Sequence, residues 1–109
     1  MSDIKTLQSE ALAFRDDRDW AQFHNAKDLA TGLSIEAGEL LECYLWKKPE
    51  QADTAKVKEE IADVLIYTLL LAHEAKIDLA EAVRAKLKRN AEKYPVDKAK
   101  GRADKYDKL

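Results

Sequence analysis

Cysteine and histidine are scarce in this sequence. Cys43 is the only cysteine, which excludes a disulfide within the chain and any zinc cluster built on cysteines. The two histidines, His24 and His73, add few further ligands for soft metals. Aspartate and glutamate together number 21. Any metal that this protein binds should therefore be a hard cation held by oxygen atoms.

Turn-forming residues and long apolar runs are also scarce. The chain has three glycines and two prolines in 109 residues, and 37% of its residues are charged. This composition predicts an all-α fold, with residues 1–109 forming one domain. No run reaches the roughly 20 apolar residues that span a bilayer, and the amino terminus lacks the pattern of a signal peptide. We therefore expect a cytoplasmic protein without a membrane partner.

The charge is unevenly distributed along the chain. Residues 84–109 contain ten Lys or Arg and four Asp or Glu, a net charge of +6, so the first 83 residues carry −8. An acidic body with a basic carboxyl end suits an anionic small molecule held against metal-binding carboxylates, although a solvated basic tail is an equally good explanation. We expect part of the tail, residues 96–109, to become ordered only when substrate binds.

The 3.6-residue period of the apolar side chains predicts four helices. The second should follow a cap at Asn25 or Asp28 and end near residues 46–48. The third should run from about residue 54 to residue 76, and Pro95 should stop the fourth. The centre of the third helix is apolar on nearly every side, which is typical of a buried helix. Because so short a chain can barely surround such a helix, we expect a partner subunit to cover it.

Two pairs of carboxylates interrupt this apolar pattern. Glu36 and Glu39 are three residues apart, so on a helix their Cβ atoms lie roughly 5–6 Å from each other, and Glu60 and Asp63 repeat the spacing. Asp63 lies within an apolar run, where an unpaired carboxylate is costly. Mg²⁺, with Mn²⁺ as a substitute, would relieve the repulsion between the pairs. The alternative is a solvated face, which is where helix phase places Glu42.

These carboxylates belong to a longer pattern. Residues 35–42 and 59–67 together form an ExxE…ExxD signature, with twenty residues between Glu39 and Glu60. The signature resembles that of the MazG-like all-α nucleotide pyrophosphohydrolases. Further motifs are similar to the dCTP pyrophosphatase branch of that family: R-D-W-x-Q-F-H at 18–24, W-K at 46–47 and N-x-x-K-Y-P at 90–95.

The resemblance implies a fold, a reaction and a set of roles. We expect a four-helix MazG-like subunit that assembles into a dimer or a dimer of dimers. It would cleave a (d)NTP, dCTP or a modified dCTP above all, to the monophosphate and pyrophosphate in nucleotide-pool cleansing. Glu36, Glu39, Glu60 and Asp63 would hold Mg²⁺, with Glu36 and Glu39 catalytic and Glu39 taking the proton of the attacking water. The expected substrate-binding residues are Trp20, Gln22, His24, Trp46, Tyr67, Asn90, Lys93, Tyr94 and Lys105.

Other interpretations of the same residues stay open. Both tryptophans could be ordinary core or rim aromatics, His24 could cap a helix, and Asn90 could form a bond between helices. Asp28 departs from the family, in which an asparagine is common at this position. A different substrate, dUTP or phosphoribosyl-ATP, would fit the same site, and a non-catalytic helical interaction module is the alternative to an enzyme. We expect no nucleic-acid partner, and we assign Gly38 to a close helix approach.

Overall fold

The structure, a computed structural model, describes residues 3–109. This part of the chain contains helices and no β-strand, so the all-α prediction is confirmed. None of its helices is both long enough and apolar enough to cross a membrane. The chain divides into two compact units, one that ends at Ile77 and one that begins at Asp78. The α-helices are α1 (Ile4–Asp17), α2 (Ala26–Glu42), α3 (Thr54–Glu74), α4 (Leu79–Lys93) and α5 (Val96–Ala99).

Each of the four long helices begins after an acidic or amide side chain. These side chains accept a hydrogen bond from a backbone N–H of the first turn, which would otherwise lack a partner. Of the two caps that we predicted for α2, Asn25 is the one that forms, with its side-chain oxygen 2.8 Å from the Asp28 nitrogen. The four caps are Asp3, Asn25, Asp53 and Asp78.

The predicted end of α2, near residues 46–48, is wrong. The helix ends at Glu42. In the turns that follow, the N–H groups of Cys43, Tyr44, Leu45 and Lys47 each donate to the carbonyl three residues earlier. Trp46 then adopts a φ of 61°, a left-handed conformation that cannot continue a right-handed helix. A 3₁₀ turn, Pro49–Gln51, leads to α3.

In the first unit, α3 packs against both α2 and α1. Among residues 3–77, the buried apolar residues are few, namely Leu29 of α2 and Leu69, Leu70 and Ala72 of α3. They lie where the amino-terminal half of α2 meets the carboxyl-terminal half of α3. The apolar core is thus small and concentrated at one end of the α2–α3 pair.

Two polar contacts connect α1 to α3. The Gln8 amide donates a hydrogen bond to the Leu69 carbonyl oxygen at 2.8 Å. The Arg15 guanidinium is buried and lies 2.9 Å from carboxylate oxygens of both Glu74 and Asp16. A buried charge of this kind is tolerated because it is paired. These contacts hold α1 along α3 although the two helices are distant in the sequence.

The middle of α3 is not covered within one chain. Ile61 remains 54% exposed, and Leu65 and Ile66 remain exposed as well. This exposure is consistent with our expectation that the apolar centre of α3 needs further covering. The homo-oligomer itself stays a prediction.

A glycine allows α2 to approach α3, but it is not the glycine that we predicted. A Cβ atom at Gly32 would overlap the ring of Tyr67, so the ring packs directly against the α2 backbone. Within residues 3–109, a Cβ atom at Gly38 would meet no atom within 4 Å apart from its chain neighbours and the backbone of its own helix. The assignment of Gly38 to a close approach is therefore wrong, and Gly32 has that role.

The second unit contains α4, α5 and a 3₁₀ turn at Tyr106–Lys108. The Tyr94 and Tyr106 rings pack edge to face with centroids 6.1 Å apart, and the Lys93 ammonium lies 4.9 Å from the Tyr106 centroid. The tail, residues 96–109, part of which we expected to become ordered only with substrate, includes α5, a short fifth helix beyond the four predicted. The single-domain prediction stays a prediction.

The two internal glycines of α2 should respond oppositely to alanine. Gly32→Ala should lower the free energy of unfolding by about 1–3 kcal/mol, because the added methyl group overpacks against Tyr67. Gly38→Ala should raise it by about 0.5–1 kcal/mol, because alanine costs less backbone entropy in a helix. Urea denaturation of both variants measures the two changes. Equal stability of the two variants would contradict the assignment of the helix contact to Gly32.

Candidate active site

The carboxylates of α2 and α3 meet where the two antiparallel helices are in contact. Glu36, Glu60 and Asp63 each offer one oxygen, and these three oxygens lie within 4.8 Å of one another. All three side chains are half-buried, as is that of Glu39. The Glu39 oxygens lie outside this set of three. The predicted i, i+3 pairs therefore come together, with three members forming the closest group.

The crowding changes the acidity of two of these groups. Burial, together with the neighbouring Glu39 side chain and the charge of Asp63, raises the pKa of Glu36 from 4.5 to about 7. Burial and the Glu39 side chain also raise the pKa of Glu60. Both shifts have the sign expected when carboxylates crowd together with no positive charge between them.

Two oxygens of the cluster lack a hydrogen-bond donor. Glu36 Oε2 and Glu60 Oε2 are both buried, and neither has a hydrogen-bond partner among residues 3–109. A buried acceptor without a donor is unfavourable, and a divalent cation would satisfy both oxygens. The donor set consists only of carboxylate oxygens, the ligand type that Mg²⁺ and Mn²⁺ prefer. The residues present therefore fit a hard divalent cation.

One side of the cluster opens into a cavity of about 650 Å³, which we call the aromatic cavity. Glu36 and Asp63 lie in its wall together with Trp20, His24 and Tyr67, three residues that we predicted to bind substrate. The Nδ1 atom of His24 is buried and has no hydrogen-bond partner among the described residues. The remaining walls are mainly apolar side chains of α1 and α3. The structure thus places three predicted substrate residues beside two predicted metal ligands.

Two other predicted substrate residues of this unit do not reach the aromatic cavity. The Gln22 amide donates to the backbone and side-chain oxygens of Asp19, at 3.0 and 3.1 Å. Trp46 is 94% exposed, and its ring lies outside the walls of the aromatic cavity. Their substrate roles stay predictions.

The remaining predicted substrate residues belong to the second unit. Asn90 and Tyr94 are half-buried there, whereas Lys93 and Lys105 are exposed. Lys93 and Tyr94 contact the Tyr106 ring. Their roles toward the substrate stay predictions.

A second cavity, of about 280 Å³, lies further along the two helices. We call it the lysine cavity, because Lys47 and Lys56 line it together with Glu39 and Glu60. The other lining residues are Glu42, Cys43 and Asp53.

Sequence reasoning missed several residues of both cavities. Phe14 of α1 lines the aromatic cavity and packs edge to face on Trp20, with centroids 5.8 Å apart. The apolar stripe of α1 could have indicated this face. Lys47 was part of a motif that we recognised, but we gave it no role. Lys56 has no sequence signal, because only the fold brings it near Glu39.

Comparison with known proteins places this arrangement in a family. The MazG-like family matches residues 32–109. The chain belongs to the MazG-like family. The predicted family resemblance is therefore confirmed.

Similar proteins align with most of the chain. The dCTP pyrophosphatase 1 of Bos taurus is 38% identical in an alignment that covers 100% of this chain and 68% of the relative. The Homo sapiens protein of the same name is 36% identical, with 100% and 67% covered. A crystal structure of a pyrophosphatase from Archaeoglobus fulgidus is similar with a TM-score of 0.79 and 40% identity, covering 87% of this chain and 94% of that one.

The raised pKa of Glu36 predicts a pH-dependent stability in metal-free protein. The folded state binds the Glu36 proton more tightly than the unfolded state, so this stabilisation is full below the ordinary value of 4.5 and is lost as the pH rises through about 7. Glu36→Gln removes the effect. Thermal denaturation in a chelator from about pH 5 to pH 8 should therefore show the variant gaining stability relative to the wild type. A difference that does not change with pH would contradict the crowding of the carboxylates.

Proposed function

We propose that this MazG-like protein is a divalent-metal-dependent nucleotide pyrophosphohydrolase that cleaves dCTP to dCMP and pyrophosphate. One observation carries the proposal: an all-carboxylate cluster with two unpartnered buried oxygens borders a cavity with aromatic walls. The enzyme class predicted from the sequence agrees with relatives named as dCTP pyrophosphatases and with a pyrophosphatase of similar fold. Cleansing of the nucleotide pool would be the physiological use of this reaction.

The carboxylates divide into two roles. Glu36, Glu60 and Asp63, whose oxygens lie within 4.8 Å of one another, would hold Mg²⁺ or Mn²⁺. The bound cation would neutralise phosphate charge and lower the pKa of a bound water. Glu39 lies beside this set without belonging to it, so its carboxylate is available to accept a proton from the attacking water. Glu36 would assist Glu39, because its carboxylate contributes to the negative charge of the cluster.

The bond changes follow from this division. The water oxygen forms a bond to the α-phosphorus as its proton passes to Glu39. The bond between the α-phosphorus and the bridging oxygen breaks, and the electron pair stays on the pyrophosphate that leaves. The products are the nucleoside monophosphate and pyrophosphate, so the reaction consumes one water.

The aromatic cavity supports binding of the nucleoside part. Its volume of about 650 Å³ is in the usual range of small-ligand pockets. The Trp20 and Tyr67 rings offer flat apolar surfaces to a base and a sugar, and the unpartnered His24 Nδ1 can bond to a polar group of the substrate. We favour cytosine as the base because of the named relatives; dUTP and phosphoribosyl-ATP are the competing substrates.

The assembly is part of the proposal. Ile61, Leu65 and Ile66 form an exposed apolar strip on α3, and Leu65 and Ile66 also line the aromatic cavity, so the strip borders the proposed nucleoside site. Apolar surface of this kind is commonly buried between subunits. We propose a homodimer, or a tetramer of two dimers, with this strip in the interface. A non-catalytic interaction module would explain the strip but would leave the unpartnered oxygens of the carboxylate cluster without a reason.

Turnover of a nucleotide panel tests the proposed reaction. With Mg²⁺ present, dCTP should give dCMP and pyrophosphate in equal amounts, faster than dUTP, dATP or phosphoribosyl-ATP. A chelator should stop the reaction. The products are measured by anion-exchange chromatography. Preference for another nucleotide would correct the substrate, and no turnover of any nucleotide would refute the enzyme.

Conservative amide substitutions test the two roles of the carboxylates. Glu39→Gln and Asp63→Asn should each lower kcat at least about 100-fold, because one removes the base and the other a metal ligand. Glu59→Gln is the matched control, since Glu59 is exposed and adjacent to the cluster in sequence. All three variants should keep the helical circular dichroism of the wild type. Near-normal activity of both cluster variants would contradict the assignment.

A further inference from the structure

The four carboxylates stand between two cavities of different character. Glu36 and Asp63 line the aromatic cavity. Glu39 and Glu60 line the lysine cavity. On each helix the two acids are about one turn apart, and the helices are antiparallel, so the cavities lie at successive positions along the helix pair. A molecule that spans both must pass over the carboxylates.

The two lysines of the second cavity have no salt-bridge partner in the part of the chain that the structure describes. Lys47 follows the end of α2, and Lys56 lies in the first turn of α3. Glu42 and Asp53 line the same cavity. Within residues 3–109, however, neither lysine side chain forms a salt bridge with any carboxylate. Two free ammonium groups beside a cluster that can hold a cation suit a polyanion that contacts both.

We propose that the lysine cavity binds the β- and γ-phosphates of the nucleotide, with Lys47 and Lys56 holding the pyrophosphate as it leaves. This inference rests on the proposed function. It fixes the direction of the substrate: the nucleoside lies in the aromatic cavity, the α-phosphate lies at the carboxylates, and the terminal phosphates point toward the segment between α2 and α3. Negative charge that develops on the leaving oxygen is then stabilised by both lysines.

The lysines that we expected from the sequence to bind substrate are Lys93 and Lys105 of the second unit, not Lys47 or Lys56. Lys47 and Lys56 belong to the same unit as the carboxylates and share a cavity with Glu39 and Glu60. The competing explanation is that they only balance the charges of the other acids that line the cavity. That explanation predicts no preference for pyrophosphate.

Selective loss of pyrophosphate affinity is the test. Lys47→Gln and Lys56→Gln remove one ammonium group each. Lys48→Gln and Lys58→Gln are matched controls, because these lysines are near neighbours in sequence and lie outside the walls of the cavity. Calorimetric titration with inorganic pyrophosphate in Mg²⁺ should show about fivefold or more weaker binding for each cavity variant. Binding of dCMP, and both affinities of the control variants, should be unchanged.

Two outcomes would overturn the inference. Pyrophosphate could bind both cavity variants as tightly as the wild type, or pyrophosphate and dCMP could weaken equally. The proposed function is judged separately, by dCTP turnover of the wild-type protein. If the wild type hydrolyses dCTP but the cavity variants do not selectively lose pyrophosphate affinity, the proposed function is supported and the pyrophosphate subsite is refuted. If the cavity variants selectively lose pyrophosphate affinity but no nucleotide is hydrolysed, the pyrophosphate site is supported and the proposed function is refuted.

Discussion

Repulsion among the carboxylates that meet between α2 and α3 is the constraint on which the rest of this structure depends. Buried acids without a counter-charge are unfavourable, and here burial and mutual proximity raise the pKa of Glu36 to about 7. Glu36 Oε2 and Glu60 Oε2 have no hydrogen-bond partner among the described residues, so these residues do not offset the repulsion. A bound hard cation would offset it. The same arrangement that is unfavourable in the metal-free protein would give the site a high affinity for a divalent metal.

Close packing of two helices sets the geometry of that site. Because Gly32 lets the Tyr67 ring lie on the α2 backbone, the helices are near enough for carboxylates one turn further along to converge. The contacts of Gln8 and Arg15 with α3 position α1 as the far wall of the aromatic cavity. Catalytic groups on rigid helices are held more precisely than groups on loops. The exposed apolar strip on α3 borders the same cavity, so a partner subunit that covered the strip would lie beside the site.

Helix periodicity predicted much of this arrangement, and long-range packing explains what it missed. The i, i+3 spacing on two helices was enough to predict that Glu36 and Asp63 belong to one cluster. It could not identify Gly32, because that requires knowing which α3 residue faces it. Nor could it find the Arg15–Glu74 pair, whose members are 59 residues apart, or the left-handed Trp46 that ends the turns after α2. Local patterns carry no information on such contacts.

The central claim is that the carboxylates of α2 and α3 hold a divalent cation. Crystals grown with Mn²⁺ and measured near the manganese absorption edge locate the ion directly in an anomalous difference map. We expect a peak between the two helices, within coordination distance of Glu36, Glu60 and Asp63, and we expect it to be lost in Asp63→Asn. A map from well-ordered crystals with no peak at these carboxylates, or with its peak elsewhere on the chain, would contradict it.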